Sequence, residues 1–239
     1  MKTKISRLLL LVLTITGLIN CNQKHSNTVL VAKLSQAEQQ LIQHDEEQAN
    51  WQQLYELVNE NYTEISEAER TRLGQVLEKY TDWSTGTLYT STEPGEKIII
   101  KGHILDDKKM PVANASLHVF QTDSHGYYTP SDSITHKMGE PFARLYSFIK
   151  TDSAGYFEIR TVRPGSYPQL YEGRRIPGHV HINITAAGYA AKNLQAVFDD
   201  DSVMNAFWLD WAKFNKFPVL ALDHSSPSRI AELEIILNK

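Results

Sequence analysis

The sequence predicts a mainly β protein, an antiparallel β-sandwich preceded by a small N-terminal helical region. The first observation is a change in hydrophobic periodicity: apolar residues recur three and four positions apart before residue 92 and form short runs after residue 93. The second is a series of turn clusters rich in Asp, Gly and Pro between those short runs. With 41% hydrophobic residues in a chain of 239, the apolar content suits a globular core.

The first 20 residues have the pattern of a lipoprotein signal peptide. Lys2, Lys4 and Arg7 precede an apolar run over residues 8–18. That run is too short to cross a bilayer but has the length of a signal-peptide core. We therefore expect residues 1–20 to be removed on export.

The signal-like segment ends in Leu-Ile-Asn-Cys at residues 18–21, which resembles a bacterial lipobox. In a lipobox the cysteine is lipidated and becomes the first mature residue, so Cys21 is the predicted lipidation site. Residues 21–30 then form a polar tether. The prediction is an exported lipoprotein of the cell envelope, periplasmic or anchored in the outer membrane, that meets the membrane through its lipid anchor only. An unlipidated secreted protein is the alternative.

Residues 31–92 form the predicted helical region. Apolar or aromatic residues recur three and four apart along 51–58 and again along 73–80, which indicates two amphipathic helices. Ser66, followed by acidic residues, is a predicted N-terminal cap of the second helix. These helices could form the interface of a homodimer or a lid, and the sequence leaves both open.

The β-sandwich is predicted to span residues 93–239, with the boundary placed between 91 and 95, where charge and Pro/Gly content rise. Its strands are short and separated by turns, in one of which Asp152 is expected to bond its own backbone rather than a metal. The clearest strand patterns lie at residues 98–100, 115–120, 155–159, 180–184 and 232–237.

Charge and cysteine content exclude two kinds of chemistry. The formal net charge is -4 and no stretch concentrates Lys and Arg, so nucleic acid is not an expected partner. Cys21 is the only cysteine, so no intramolecular disulfide can form and no thiol remains in the folded domain for catalysis or metal binding. Any active site must therefore use oxygen and nitrogen ligands.

His179 and His181 form the most specific local signal. Residues two apart on a strand point to the same face, so both imidazoles can converge on one ion. Imidazole binds iron, copper, zinc and nickel, so the histidine pair alone does not identify the metal. Two ordinary histidines on a half-exposed strand are one alternative. A zinc or copper hydrolase is another, but the carboxylate that would act as its general base is missing beside the pair.

Two tyrosines strengthen that signal. Tyr167 lies in the turn 163–168, which is expected to present its side chain at a loop tip, and Tyr128 ends the segment 119–128, where a strand runs into a loop. Either tyrosine alone would be interpreted as a half-buried residue with a solvated hydroxyl. In combination with the paired histidines, they indicate a metal site.

The order and spacing of six segments resemble those of the intradiol ring-cleavage dioxygenases, over a little under half of the chain. By this resemblance, a mononuclear ferric ion, Fe(3+), is held by Tyr128, Tyr167, His179 and His181. Tyr127 is not expected to bind, because the family's ligand falls second after the glycine. The segments that carry the resemblance are residues 102–115, 120–128, 151–157, 163–168, 176–181 and 194–201.

The resemblance also implies a reaction. Ferric iron can lower the pKa of a phenol from about 10 far enough for tyrosine to bind as phenolate at neutral pH. The substrates would be a small aromatic diol of the catechol type and O2, and the product a muconate-type diacid. Tyr167 would be the ligand that the substrate displaces, with His179 opposite it, while Tyr128 and His181 stay bound.

Two further positions follow from the family pattern. The family has an arginine three residues before the first histidine, where this chain has Ile176; a one-residue shift of the loop would let Arg175 take that role, and a solvated basic pair is the alternative. Gln195 matches a family glutamine and is expected to bond the arginine or the substrate.

A rival from another class is a non-catalytic β-sandwich of the transthyretin-like or carboxypeptidase-regulatory type. Such modules share the strand and turn motifs of this chain. They have no need of the paired histidines together with the two tyrosines.

Overall fold

The computed structural model describes residues 28–130, 143–223, 225 and 229–239. In this part of the chain, helices precede two β-sheets whose inner faces share one apolar core. The predicted signal peptide and Cys21 lie outside the described residues, so export and lipidation stay predictions. Among the described helices, none is long and apolar enough to cross a membrane.

Three helices form where the sequence predicted two: α1 (28–43), α2 (Gln48–Glu60) and α3 (Glu67–Lys79). Ser66 caps α3 as predicted, because its side chain accepts a hydrogen bond from the backbone N–H of Glu69. Buried aliphatic and aromatic side chains join the three helices into one apolar cluster, the helical cluster.

Two main sheets and a small hairpin follow. The described strands are β1 (Thr85–Thr87), β2 (Lys97–Asp106), β3 (Ser116–Gln121), β4 (Leu145–Lys150), β5 (Tyr156–Val162), β6 (Leu170–Tyr171), β7 (Arg174–Arg175), β8 (His179–Thr185), β9 (Lys192–Phe198), β10 (Val219–Leu220) and β11 (Arg229–Leu237). A four-stranded sheet has the order β1-β5-β2-β11, a five-stranded sheet has the order β10-β9-β8-β3-β4, and β6 pairs with β7. Asp152 occupies the turn before β5 and accepts hydrogen bonds from two backbone N–H groups, as predicted.

The predicted mainly β sandwich is confirmed, although its sheets are mixed. β11 pairs in parallel with β2, β1 with β5 and β10 with β9, whereas the pairs around β8 and β3 are antiparallel. Hydrophobic alternation shows which face of a strand is buried but not the direction of its neighbour, so the sequence could not reveal this. β1 lies within 31–92, the predicted helical region, and Leu88 directly after it belongs to the sandwich core.

The alternation of β8 positions the candidate site. Val180, Ile182 and Ile184 point into the core between the sheets. His179 and His181 therefore point to the opposite, outer face of the five-stranded sheet. The helices cover a neighbouring part of this face, because side chains of β4 pack against the helical cluster.

The segment after β9 contains helix α4 (Ala206–Asn215). Asn205 caps it by accepting a hydrogen bond from the backbone N–H of Trp208. Trp208 is buried and packs against Tyr171 of the β6–β7 hairpin, whereas Phe214 is 86% exposed. The helix thus supports the hairpin that connects the turn of Tyr167 to β8.

Candidate metal centre

Four side chains from three separate segments meet at one point on the outer face of the five-stranded sheet. The hydroxyl oxygens of Tyr128 and Tyr167 lie 2.5 Å apart, and the Nε2 atoms of His179 and His181 lie 3.1 Å apart. Tyr128 Oη is 2.8 Å from Nε2 of His181, and Tyr167 Oη is 3.1 Å from Nε2 of His179. The four atoms form a closed ring, the donor ring, in which each contacts two others. Tyr167 and His179 are neighbours in this ring, whereas the resemblance implied that they lie opposite each other.

Each histidine is oriented by a neighbouring group. His179 begins β8, and its Nδ1 lies 2.8 Å from the carbonyl oxygen of Pro177. A carbonyl can only accept, so the proton is on Nδ1 and the lone pair of Nε2 faces the tyrosines. The ring of His181 stacks on Phe120, with centroids 4.5 Å apart and 2° between the planes. Phe120 is its register partner on β3, which sequence analysis missed because it lacked the strand pairing.

Both tyrosines come from loops, yet their side chains are buried. Tyr128 is 5% exposed and Tyr167 is 1% exposed. The expectation that Tyr167 is presented at a loop tip is therefore wrong, because its ring turns inward and stacks on that of His179 at 4.7 Å. Tyr127, which was not expected to bind, is 37% exposed.

The segments that carry the ligands approach each other too closely for any side chain. A Cβ at Gly126 would lie 2.3 Å from the carbonyl oxygen of Ser166, and a Cβ at Gly178 would lie 2.2 Å from that of Pro164. Gly126 also has a φ of +90°, which side-chain-bearing residues rarely adopt. Glycine at these positions lets the three segments pack backbone against backbone, which fixes the distances between the ligands they carry.

Burial determines the protonation of the four side chains. It raises the pKa of Tyr128 to about 12, and it raises the pKa of Tyr167 well above the ordinary value, with a further increase from Tyr128. Burial lowers the pKa of His179 to about 4, and burial together with His179 lowers the pKa of His181 to about 3. Without a bound cation, all four side chains are therefore neutral at pH 7.

Neutral side chains have too few protons for the donor ring. It contains four contacts, but the two phenols and Nε2 of His181 supply at most three protons, since Nε2 of His179 has none. At least one contact would then join two lone pairs in a buried site, which costs free energy. A metal cation that accepts these lone pairs removes the conflict, so the residues present fit a bound metal.

No carboxylate joins this site as a ligand within the described part of the chain. There, the one group of three or more His, Cys, Asp or Glu side chains with metal-ligand spacing is an exposed group at residues 44–47. The donor set of the site is therefore two phenols and two imidazoles.

Gln195 and Arg175 differ in their relation to the four ligands. Gln195 is the register partner of His181 on β9, so its side chain lies on the same face of the sheet. Arg175 is exposed on β7, and its described hydrogen bond goes to the carbonyl oxygen of Ser166 at 3.4 Å rather than to the donor ring. Ile176 instead packs against the apolar cluster that contains Tyr128 and Tyr167. The role assigned to Arg175 stays a prediction.

The fold and the donor ring together agree with one family of proteins. Residues 78–234 match the family model Dioxygenase_C, described as dioxygenase, which is more than half of the chain. The chain therefore belongs to the intradiol ring-cleavage dioxygenase family.

Similar individual proteins have related descriptions. A catechol 1,2-dioxygenase of Acinetobacter lwoffii is 26% identical over 51% of this chain and 46% of its own length. The protocatechuate 3,4-dioxygenase beta chain of Burkholderia cepacia is 30% identical over 38% of this chain and 39% of its own length. The chain thus spans less than half the length of these relatives.

The solved structure of hydroxyquinol 1,2-dioxygenase from Pseudomonas putida has a similar fold, with a TM-score of 0.50 and 22% identity over 66% of this chain and 62% of that one. Catechol 1,2-dioxygenase from Pseudomonas arvilla also has a TM-score of 0.50, with 20% identity over 65% of this chain and 56% of that one. At these identities the likeness concerns the fold alone.

Proposed function

We propose that this chain cleaves a catechol-type aromatic between its two hydroxyl-bearing carbons, with O2 and a ferric ion held by the donor ring. The observation that carries the proposal is this ring, in which two phenol oxygens and two imidazole nitrogens each lie within 3.1 Å of two others. Relatives named catechol and hydroxyquinol dioxygenases support the substrate class. The product would be a muconate-type diacid that contains both oxygen atoms of O2.

When bound, ferric iron supplies a strong Lewis acid that favours the deprotonated forms of tyrosine and of catechol. Tyr128 and Tyr167 would hold it through their phenol oxygens, and His179 and His181 through Nε2. The carbonyl of Pro177 keeps the proton of His179 on Nδ1, so the lone pair of Nε2 stays available.

The same residues would also accept a substrate proton and limit the access of water to the site. Burial raises the pKa of Tyr167 well above its ordinary value when no metal is bound, so its phenolate, once displaced by the substrate, would accept the proton of a substrate hydroxyl. Phe120 shares an apolar cluster with both tyrosines and Ile176 packs against this cluster, so these side chains would limit the access of water to the site. Gln195 lies on the same face as His181 and would donate a hydrogen bond to a substrate oxygen.

The central experiment is to purify the mature chain aerobically and to measure its iron content, visible spectrum and products from catechol. We expect about one iron per chain, a burgundy phenolate-to-iron band, and a diacid that contains both atoms of isotope-labelled O2. Tyr128→Phe and Tyr167→Phe should lose iron or shift the band. Tyr127→Phe is the matched control, because this neighbouring tyrosine is exposed and should leave both measurements unchanged.

The outcomes separate the alternatives. A colourless chain that contains zinc would favour the hydrolase interpretation, and a chain with no metal would favour the non-catalytic sandwich. An iron-loaded burgundy chain that leaves catechol intact would contradict the proposed activity while keeping the metal site.

Arg175 offers a second test of the same activity. We propose that it takes the role of the family's arginine, as a one-residue shift of the loop relative to the family pattern would allow. Arg175→Ala should then lower kcat, whereas Arg174→Ala, the neighbouring guanidinium that lies over Phe207, should change it much less. Equal kinetics in the two variants would assign both arginines to the solvated surface.

We also propose that the mature chain is an exported lipoprotein, attached through Cys21 to the cell envelope. Labelling with a fatty-acid analogue should mark the wild-type chain, and Cys21→Ser should abolish the label and release the protein into the soluble fraction. Light scattering on the released chain would test whether the helices form a homodimer. A wild-type chain that takes up no label would leave the unlipidated secreted form.

A further inference from the structure

The carboxylate of Asp201 connects two segments that carry ligands of the donor ring. Asp201 Oδ2 accepts a hydrogen bond from the backbone N–H of Gly178 at 3.0 Å, directly before His179. The hydroxyl of Ser166, directly before Tyr167, lies 3.2 Å from Oδ1 and 3.5 Å from Oδ2. Oδ1 also accepts from the backbone N–H of Val203 at 2.9 Å, which fixes the orientation of the carboxylate.

From these contacts we propose that Asp201 is a positioning residue for the metal centre, which sets the distance between Tyr167 and His179. The inference rests on the proposed function, because it concerns the residues that would hold the iron. The two side chains contact each other directly, with Oη and Nε2 at 3.1 Å and stacked rings. A displacement of either backbone segment is therefore transmitted to a ligand atom one residue away.

Besides Asp201, a backbone hydrogen bond links the two segments: the N–H of Tyr167 donates to the carbonyl oxygen of Ile176 at 3.0 Å, two residues before Gly178. Close contact between Gly178 and Pro164 prevents the segments from moving nearer, but a steric contact does not resist separation. Asp201 supplies attraction in the same place, through charge-assisted hydrogen bonds. The close contact sets the shortest distance between the two segments, and the carboxylate keeps them from moving apart. Together they fix the distance between the segments.

An asparagine at position 201 is a sharp test, because it has the shape of aspartate. Both carboxylate oxygens face backbone N–H groups, those of Gly178 and Val203. An amide has one oxygen, so in either orientation its NH2 group meets an N–H donor and one hydrogen bond is lost. Asp199→Asn is the matched control: it makes the same charge change two residues away, at an exposed side chain with no described hydrogen bond.

The experiment compares wild type, Asp201→Asn, Asp201→Ala, Ser166→Ala and Asp199→Asn as mature chains. Ferric ion binding is measured in competition with a chelator, the visible band by absorption, and folding by thermal unfolding of the metal-free chains. We expect Asp201→Asn to weaken ferric binding by about 10- to 100-fold and to shift the band, as for other residues that orient metal ligands. Ser166→Ala should have a smaller effect and Asp199→Asn none.

A readout without metal separates this inference from the proposed function. Hydrogen exchange of the Gly178 amide should become at least about tenfold faster in Asp201→Ala than in wild type, since alanine removes both acceptor oxygens. If wild type binds no ferric ion, the proposed function fails, and the exchange rate alone decides whether Asp201 holds the segment. Wild-type exchange at Gly178 in Asp201→Ala, or wild-type iron affinity and band in that variant, would overturn the inference.

Discussion

Substitution of Gly178 by alanine should destroy metal binding with only a moderate loss of stability. The new Cβ would lie 2.2 Å from the carbonyl oxygen of Pro164, and ordinary contact begins near 3.4 Å, so the segments must separate by about 1.2 Å. Gly178 precedes His179, and Pro164 lies in the turn that carries Tyr167. Ligand distances in metal sites tolerate about 0.2 Å, so this displacement is several times too large.

The free energy of unfolding should fall by about 1–3 kcal/mol, the range for overpacked sites, which leaves the chain folded. The assay is iron content and the phenolate-to-iron band, recorded beside a urea unfolding curve. Gly188→Ala is the control, because Gly188 has a φ of +84° and nothing within 4 Å of an added Cβ. It should lose about 1 kcal/mol from backbone strain and keep its iron. Full iron loading of Gly178→Ala would refute the reasoning that these two backbones fix the ligand distance.

Three further predictions concern the surroundings of the site. Phe120→Ala should lower the free energy of unfolding by about 3–5 kcal/mol in urea titrations and weaken iron binding, because His181 loses its stacked neighbour; Phe120→Leu should lose less. Glu93→Gln should cost about 3–5 kcal/mol in the same assay, because it leaves the guanidinium of Arg144 buried without its ion-pair partner, and unchanged stability would contradict this. Metal-free protein should become less stable as pH falls from about 6.5 towards 4. Burial lowers the pKa of His179 to about 4 and that of His181 to about 3, so the unfolded state binds more protons than the folded state in this range. The slope of unfolding free energy against pH should approach about 1.4 kcal/mol per pH unit for each histidine, and it should be smaller in His181→Gln.

Much of the candidate site could be predicted because its four donor side chains lie within short segments. The pair His179 and His181 follows from the period of two along a strand, and β8 does place both on one face. Tyr128 and Tyr167 carry no such local signal, and they were assigned through the resemblance of the whole series of segments. The side chains that orient the ligands were not predicted, since Phe120 reaches His181 only through the pairing of β3 with β8.

The fold, like the site, has some features that the sequence predicted and others that it did not. The change of periodicity near residue 92 predicted helices followed by strands, which the structure confirms. Parallel pairing of β11 with β2 was not predicted, because these strands lie more than a hundred residues apart in sequence and their hydrophobic patterns are the same for either direction. The burial of Tyr167 was also missed, because a turn motif does not show which way its side chain points.

By itself, the sequence determined the types of donor atom, since Cys21 is the only cysteine and the motifs supply phenols and imidazoles. It also determined that two of these donors share one face of a strand. The tertiary structure decided that the four donors meet within 3.1 Å of their neighbours, and that the role predicted for Arg175 falls on a residue at the surface. The physical reason is that periodicity and turn chemistry act over a few residues, whereas distances between loops are set by backbone contacts such as that of Gly178 with Pro164.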